Sequence, residues 1–259
     1  MGVPRGGESS VRDRLTGLYV ITDALPRGQW SAGTGEQECW EEWASCTVAK
    51  VRKALAGGAA LVQMRLKDVC AARQLELGGA LRAACGERDA LFLVNDRCDL
   101  AAALDADGVH LGLDDLPIRA ARQLLGKGKV IGATIRHRDQ AQAAEAAGAD
   151  YVCLGPLFRA IAKAVDHPPV GLAELVATRA ATTLPLFVIG GIGLDSVAQI
   201  AASGADGIAV ISAVMRASDP ELAARDLSAA FEITVSSTEA EREGRWRGTT
   251  TKRINGAIR

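Results

Sequence analysis

Short apolar runs alternate with longer alanine-rich segments along most of the chain. Within each run the apolar residues are continuous, which is typical of strands that are covered on both faces of a sheet. The alanine-rich segments show the periodicity of helices. The runs predict eight strands, at Leu18–Thr22, Leu61–Met64, Leu91–Val94, Gly108–Leu111, Val130–Ala133, Tyr151–Leu154, Leu186–Ile189 and Gly207–Ile211.

The segments between the strands predict helices, at Cys46–Ala56, Ala71–Cys85, Ile118–Leu125, Arg138–Ala147, Leu172–Ala180, Leu194–Ser203 and Pro220–Phe231. Three of them are followed by small-residue turns that contain Gly58, Gly148 or Gly204, and a glycine there ends a helix in left-handed geometry. Strands that alternate with helices indicate βαβ units and a parallel sheet, and eight such units close naturally into a barrel. We therefore predict an α/β fold with a single (β/α)8 TIM barrel over residues 17–231.

Three regions do not follow this alternation. Residues 1–16 are polar, and we expect a flexible N-terminal segment. Residues 25–42 form a polar insertion after the first strand, which we interpret as a surface loop, although long loops are also used as lids. Residues 232–259 are rich in Thr, Arg, Glu and Gly without apolar periodicity, which predicts a disordered tail.

The composition excludes several classes of function. The formal charge is −1 and the basic residues are scattered, so no basic field for nucleic acid is present. No segment approaches the roughly 20 apolar residues of a membrane span, and the first residues do not resemble a signal peptide. The six cysteines form no Cys-x-x-Cys pair and fit reduced structural thiols. We expect a cytoplasmic protein without nucleic-acid or membrane partners, and a homo-oligomer is compatible with these features.

Candidate chemistry collects at the ends of the predicted strands, where the sites of such barrels lie. After the second strand, period-two alternation puts Gln63, Arg65 and Lys67 on one side, toward the barrel mouth. Two cations and an amide there suit a polyphosphate. A salt-bridged strand end without a ligand is an equally good interpretation of these three residues.

Carboxylates follow the next two strands. Asn95 and Asp96 follow the third strand, and Asp114 and Asp115 lie in the turn after the fourth. A carboxylate on each of two adjacent strands can share one Mg²⁺, which takes the rest of its ligands from water and phosphate oxygens. The alternative is that these aspartates cap helices, and we expect either Asp114 or Asp115 to do so before Pro117.

The last two strands are followed by turns that could bind a phosphate through backbone N–H groups. These turns are Ile189-Gly190-Gly191-Ile192-Gly193 and Val210-Ile211-Ser212-Ala213. They indicate a phosphorylated ligand but no reaction type. The three histidines form no triad or metal set, and we interpret His110, at a strand end, as a structural histidine.

Together these motifs are similar to the thiamine phosphate synthase family, from about Gly17 to Phe231. The segments that carry the resemblance are Leu18-Tyr19-Val20-Ile21-Thr22-Asp23, Gln63-x-Arg65-x-Lys67, Val94-Asn95-Asp96-Arg97, Ala106-Asp107-Gly108-Val109-His110-Leu111-Gly112, Gly148-Ala149-Asp150-Tyr151, Gly155-Pro156-Leu157-Phe158 with Lys163, and Ile189-Gly190-Gly191-Ile192.

The resemblance implies a Mg²⁺-dependent transferase that joins hydroxymethylpyrimidine diphosphate to thiazole phosphate by a dissociative mechanism. It assigns the aminopyrimidine to Gln63, Mg²⁺ to Asp96 and Asp115, and a substrate-binding hydroxyl to Thr134, where the family has serine. It assigns the diphosphate to a set of polar side chains: Arg65, Lys67, Asn95 and Lys163. Catalysis would depend most on the three cations of that set. The thiazole phosphate would be bound by Gly191, Ile211 and Ser212.

One segment departs from the family pattern. The family has a Thr-x-Thr-Lys loop after Gly-Pro-x-Phe, whereas this chain has Ala160 and Ala162 at the two threonine positions. A catalytically weakened barrel that binds thiamine phosphate without making it is therefore an alternative function. A third is a phosphate-binding isomerase or epimerase that would use a carboxylate or cysteine base instead of Mg²⁺.

Overall fold

The chain forms a closed barrel of eight parallel strands in the computed structural model, which describes residues 11–23, 36–159 and 168–255. Each strand pairs with the next one along the chain, and the last pairs with the first. The strands are β1 (Gly17–Ile21), β2 (Ala59–Met64), β3 (Leu91–Asn95), β4 (Gly108–Leu111), β5 (Val130–Ile135), β6 (Tyr151–Leu154), β7 (Leu186–Ile189) and β8 (Gly207–Val210). The predicted (β/α)8 barrel is confirmed.

Helices follow the strands and cover the outside of the barrel. They are α1 (Glu36–Ala56), α2 (Ala71–Gly86), α3 (Cys98–Ala103), α4 (Ile118–Leu125), α5 (Arg138–Ala147), α6 (Gly171–Ala181), α7 (Leu194–Ala202), α8 (Ser212–Met215) and α9 (Pro220–Asn255). Each of the seven predicted helices overlaps one of them. None of the helices in the described part of the chain is long and apolar enough to cross a membrane.

Alternation along each strand separates two cores. On β1, Leu18 and Val20 pack outward against the helices, whereas Tyr19 and Ile21 belong to the cluster that fills the barrel. A barrel of eight strands is just wide enough for side chains to fill it. Gly132 on β5 leaves room for a large ring, because a Cβ atom there would overlap the ring of Tyr151.

The N-terminal segment differs from the prediction. Val11–Arg14 form a short 3-10 helix, and the next residue, Leu15, is only 2% exposed because it packs into the cluster that fills the barrel. Arg14 forms an ion pair with Asp89 at 3.1 Å. Residues 11–16 are therefore held against the barrel, and the first ten residues of the predicted flexible segment lie outside the described residues.

The polar insertion at 25–42 is only partly described. Its residues up to 35 lie outside the described residues, and the remainder forms the first turns of α1. Trp40 is fully buried there, and its indole N–H donates to Glu76 on α2 at 3.2 Å. This end of the insertion is therefore packed helix and not a surface loop.

The predicted disordered tail is also helical as far as it is described. Helix α9 continues past Phe231 to Asn255. Val235 packs against the outer core, and the hydroxyl groups of Thr234, Ser237 and Thr238 each donate to the carbonyl four residues earlier. These bonds satisfy the hydroxyl groups inside a helix. Amino-acid composition does not reveal this packing, because in the described part of the tail a single apolar residue, Val235, packs against the outer core.

Candidate active site

The carboxyl end of β2 carries the three predicted substrate residues Gln63, Arg65 and Lys67. The Thr22 hydroxyl, which follows β1, holds this strand end in place. It accepts a 2.9 Å hydrogen bond from the Arg65 backbone N–H and donates one of 3.4 Å to the Arg65 carbonyl. Gln63 is 1% exposed inside the barrel, whereas the Lys67 side chain is 53% exposed. The local backbone therefore directs one amide inward and leaves one ammonium group at the mouth.

Asp96 lies in a strained turn after β3. Its φ is 62°, in the left-handed region that aspartate tolerates better than most residues. The turn is held by the Asp96 N–H, which donates to the His110 carbonyl at 2.9 Å, and by the Arg97 N–H, which donates to the Asn95 carbonyl at 2.7 Å. Arg97 and not Asp96 is the N-cap residue of α3. The capping interpretation of Asp96 is therefore wrong.

Asp115 folds back over the end of β4. Its Oδ2 accepts a 2.7 Å hydrogen bond from the Gly112 N–H. The N-cap residue of α4 is Pro117, which forms no side-chain capping hydrogen bond. The expectation that Asp114 or Asp115 caps α4 is therefore wrong, and Asp114 is exposed in the same turn.

Asp96, Asp115 and Lys67 form one cluster at the mouth. Burial and a side-chain hydrogen bond with Asp96 raise the pKa of Asp115. The ammonium nitrogen of Lys67 lies 3.1 Å from Oδ2 of Asp96. The two carboxyl groups predicted to share a cation are thus neighbours, with one positive charge beside them. Two carboxylates leave most of an octahedral shell for water and phosphate oxygens, so this donor set fits Mg²⁺.

A chain of hydrogen bonds crosses the barrel below this cluster. Gln63 Nε2 donates to the Tyr19 hydroxyl, which lies 3.0 Å from the Tyr151 hydroxyl. The Tyr151 hydroxyl lies 2.8 Å from Nδ1 of His110, and Nε2 of His110 lies 2.9 Å from Oγ1 of Thr134. We call these five residues the polar chain. It connects Gln63 on β2 with Thr134 on β5.

The polar chain is uncharged, and all of its members except the half-buried Thr134 are buried. Burial lowers the pKa of His110 to about 4, so its imidazole is neutral near pH 7. Burial also raises the pKa of both tyrosine hydroxyls. The interpretation of His110 as a structural histidine agrees with its two hydrogen bonds and its burial. The same two hydrogen bonds make His110 part of the path that connects the predicted substrate residues Gln63 and Thr134.

The predicted phosphate residues Gly191, Ile211 and Ser212 lie at the ends of the neighbouring strands β7 and β8. Gly191 has a φ of 65°, and a Cβ atom there would meet Phe158 at 2.9 Å. The turn after β7 thus packs closely on the turn after β6, which requires glycine. Ile211 precedes α8, and Ser212 begins it.

Not every predicted site residue is described. Lys163, Ala160 and Ala162 lie outside the described residues, and the part of this loop that is described ends at Arg159. Arg65, Asn95 and Thr134 are each half-buried at or near the end of their strand. The structure therefore places the other predicted residues at the carboxyl ends of their strands.

Sequence reasoning missed two tyrosines and one arginine near the site. Tyr19 and Tyr151 lie in motifs that give them no role, although period-two alternation puts both inside the barrel. Arg136 directly follows β5, and its Nε is buried without a hydrogen-bond partner in the described part of the chain. A buried donor of this kind has capacity for a ligand.

The fold and the site together define a class of protein: a (β/α)8 barrel with paired carboxylates and cationic side chains at its mouth. The family model described as thiamine monophosphate synthase matches residues 34–214. The chain therefore belongs to the thiamine monophosphate synthase family.

Individual relatives agree with this assignment. A thiamine-phosphate synthase of Anaeromyxobacter dehalogenans is 50% identical over 221 residues, which cover 85% of this chain and 90% of the relative. One of Moorella thermoacetica is 46% identical over 181 residues, which cover 70% and 86%. The solved thiamine phosphate pyrophosphorylase from Pyrococcus furiosus superimposes with a TM-score of 0.74 and is 37% identical, covering 87% of this chain and 100% of that one.

Proposed function

We propose that the chain is a thiamine phosphate synthase, a transferase that joins hydroxymethylpyrimidine diphosphate to thiazole phosphate. The products are thiamine phosphate and diphosphate. Family membership supports the reaction. The observation that carries the proposal in this chain is the cluster of Asp96, Asp115 and Lys67, because it offers two carboxylates and one cation where a diphosphate and its metal would meet.

The reaction makes one main electrostatic demand. The bond between the pyrimidine methylene carbon and the diphosphate oxygen breaks, and its electron pair leaves with the diphosphate. The thiazole nitrogen then supplies the pair that forms the new C–N bond to the methylene carbon. Stabilising the departing negative charge is therefore the main task of the site. Lys67, Arg65 and Lys163 are the cations that we assign to it, with Asn95 as a further hydrogen-bond donor.

Asp96 and Asp115 are the residues that would hold Mg²⁺. When bound, the ion adds positive charge beside the leaving diphosphate. The neighbouring Lys67 would then move from its ion pair with Asp96 toward the phosphate oxygens. Because its side chain is 53% exposed, this movement does not require repacking of the core.

The two organic substrates would occupy opposite parts of the mouth. Gln63 and Thr134, at the two ends of the polar chain, would hold the aminopyrimidine. Gly191, Ile211 and Ser212, on the turns after β7 and β8, would bind the phosphate of the thiazole through backbone N–H and hydroxyl donors. This arrangement puts the thiazole phosphate away from the carboxylate cluster, which lies after β3 and β4.

A second candidate function is binding of thiamine phosphate without synthesis, which Ala160 and Ala162 favour. In relatives with threonines there, the hydroxyls would contact groups whose charge changes as the diphosphate departs. Restoring both (Ala160→Thr with Ala162→Thr) separates the candidates. A weakened synthase should gain about 10–100-fold in kcat with little change in thiazole phosphate binding. A chain that only binds would turn over neither before nor after the change.

The carboxylate cluster is tested by a matched set of three substitutions. Asp96→Asn and Asp115→Asn each remove one charge from the proposed metal site, whereas Asp114→Asn removes an exposed charge from the same turn as Asp115. We expect the first two to lower diphosphate release at least about 100-fold, as loss of a group that stabilises transition-state charge does. The third should retain it. Equal diphosphate release by all three variants would contradict the proposed metal site.

A further inference from the structure

The polar chain carries an inference about substrate choice that rests on the proposed function. Each neutral member has a fixed number of protons to donate: one on each hydroxyl, one on the imidazole and two on the Gln63 amide nitrogen. Because Tyr19, Tyr151 and His110 are buried, a proton without an acceptor would be costly. Along the polar chain, every hydrogen bond must therefore be donated toward the same end.

The placement of Gln63 sets the direction. Its Nε2 donates to Tyr19, so the Tyr19 hydroxyl proton is free to go to Tyr151. Tyr151 then donates to Nδ1 of His110, and the imidazole proton on Nε2 goes to Thr134. If Tyr151 instead donated back to Tyr19, the buried Tyr19 proton would have no acceptor among the described residues.

The direction determines what the two ends offer to a ligand. The side-chain carbonyl oxygen of Gln63 (Oε1) accepts no hydrogen bond from the described residues, so it is an available acceptor. Thr134 already accepts from His110, so its own hydroxyl proton is an available donor. Reversal of every bond, with the Gln63 amide turned over, would make Gln63 the donor and Thr134 the acceptor. In either direction, one end of the polar chain offers a hydrogen-bond donor and the other end offers an acceptor.

We propose that the polar chain selects a 4-aminopyrimidine over a 4-oxopyrimidine by fixing Gln63 as an acceptor and Thr134 as a donor. An aminopyrimidine has an amino group that donates and ring nitrogens that accept, which matches this polarity. An oxopyrimidine presents an acceptor in place of the amino group and matches the reverse polarity. Tyr19, Tyr151 and His110 are positioning residues that transmit the constraint across the barrel.

Packing of aromatic rings also holds the polar chain in place. Gly132 leaves the space that the Tyr151 ring occupies, and His110 stacks on that ring with centroids 5.5 Å apart. Phe187 packs edge-on against both tyrosines, with ring centroids 5.5 Å from Tyr19 and 5.4 Å from Tyr151. The hydroxyl groups are therefore held by packing as well as by their hydrogen bonds.

The key substitution is Tyr151→Phe, which keeps the ring and removes the hydroxyl that joins Tyr19 to His110. Phe187→Leu is its matched control, because it disturbs the same packing and breaks no hydrogen bond. We expect the wild-type chain to prefer the amino over the oxo diphosphate substrate by at least about 100-fold in kcat/KM. Tyr151→Phe should lower that preference about tenfold or more, whereas Phe187→Leu should slow both substrates alike. Unchanged preference in Tyr151→Phe would overturn the proposal.

A second measurement does not depend on activity. Nitrogen NMR of the ¹⁵N-histidine-labelled chain, assigned with a His110→Gln variant, reports which ring nitrogen of His110 carries the proton. We expect the Nε2–H tautomer in the wild-type chain and loss of that preference in Tyr151→Phe, or in Tyr19→Phe if the first variant does not fold. An Nδ1–H tautomer in the wild-type chain would overturn the proposed polarity. Absence of thiamine phosphate synthesis with an Nε2–H tautomer would instead overturn the proposed function alone.

Discussion

The backbone N–H of Asp96 donates a 2.9 Å hydrogen bond to the carbonyl oxygen of His110. The turn that carries a proposed metal ligand is therefore attached to the strand that carries the imidazole of the polar chain. The site for the diphosphate and the site for the pyrimidine thus share one rigid piece of backbone. Such sharing favours a fixed distance between the leaving group and the ring from which it departs, which proximity effects require.

Gly132→Ala tests the packing that holds the polar chain. The new methyl group would overlap the Tyr151 ring, so strand β5 or the ring must move. We expect a loss of about 1–3 kcal/mol in the free energy of unfolding, as overpacked cores show. Gly79→Ala in α2 is the control, since nothing lies within 4 Å of its Cβ position and alanine favours a helix. Urea unfolding that ranks the two variants in the opposite order would contradict this packing.

His110 should make the fold sensitive to mild acid. Burial lowers its pKa from 6.5 to about 4, so between these values the unfolded chain binds a proton that the folded chain does not. The free energy of unfolding should therefore fall as the pH drops through this range, by roughly 3 kcal/mol at most. In a His110→Gln variant, the free energy of unfolding should no longer show this part of its dependence on pH. An identical pH dependence in both chains would show that His110 titrates normally in the fold.

Two apolar residues of α9 test whether the helix beyond Phe231 is part of the fold. Val235 packs against the outer core, whereas Ile233 is 68% exposed. Val235→Ala should cost about 1 kcal/mol and lower the melting temperature. Ile233→Ala should change it by less than about 0.5 kcal/mol. If both substitutions are silent, this part of α9 contributes nothing to the barrel.

The barrel could be predicted because its strands are continuous apolar runs and glycine turns precede three of them. The positions of Gln63, Asp96 and Asp115 followed from the rule that strand ends meet at one mouth. The polar chain could not be predicted, because Tyr19 and Tyr151 are 132 residues apart and meet only when the barrel closes. The burial of Leu15 and the packing of Val235 against the outer core could not be predicted either, since single apolar residues in polar segments give no periodic signal.

The central claim is tested most directly by mixing the chain with hydroxymethylpyrimidine diphosphate, thiazole phosphate and Mg²⁺ and measuring both products. We expect thiamine phosphate and diphosphate in equal amounts, and neither product when the metal is chelated. The Asp114→Asn chain should behave in the same way, which excludes a general effect of lost charge in that turn. Binding of thiamine phosphate without formation of either product, under saturating substrates and Mg²⁺, would contradict the assignment as a synthase.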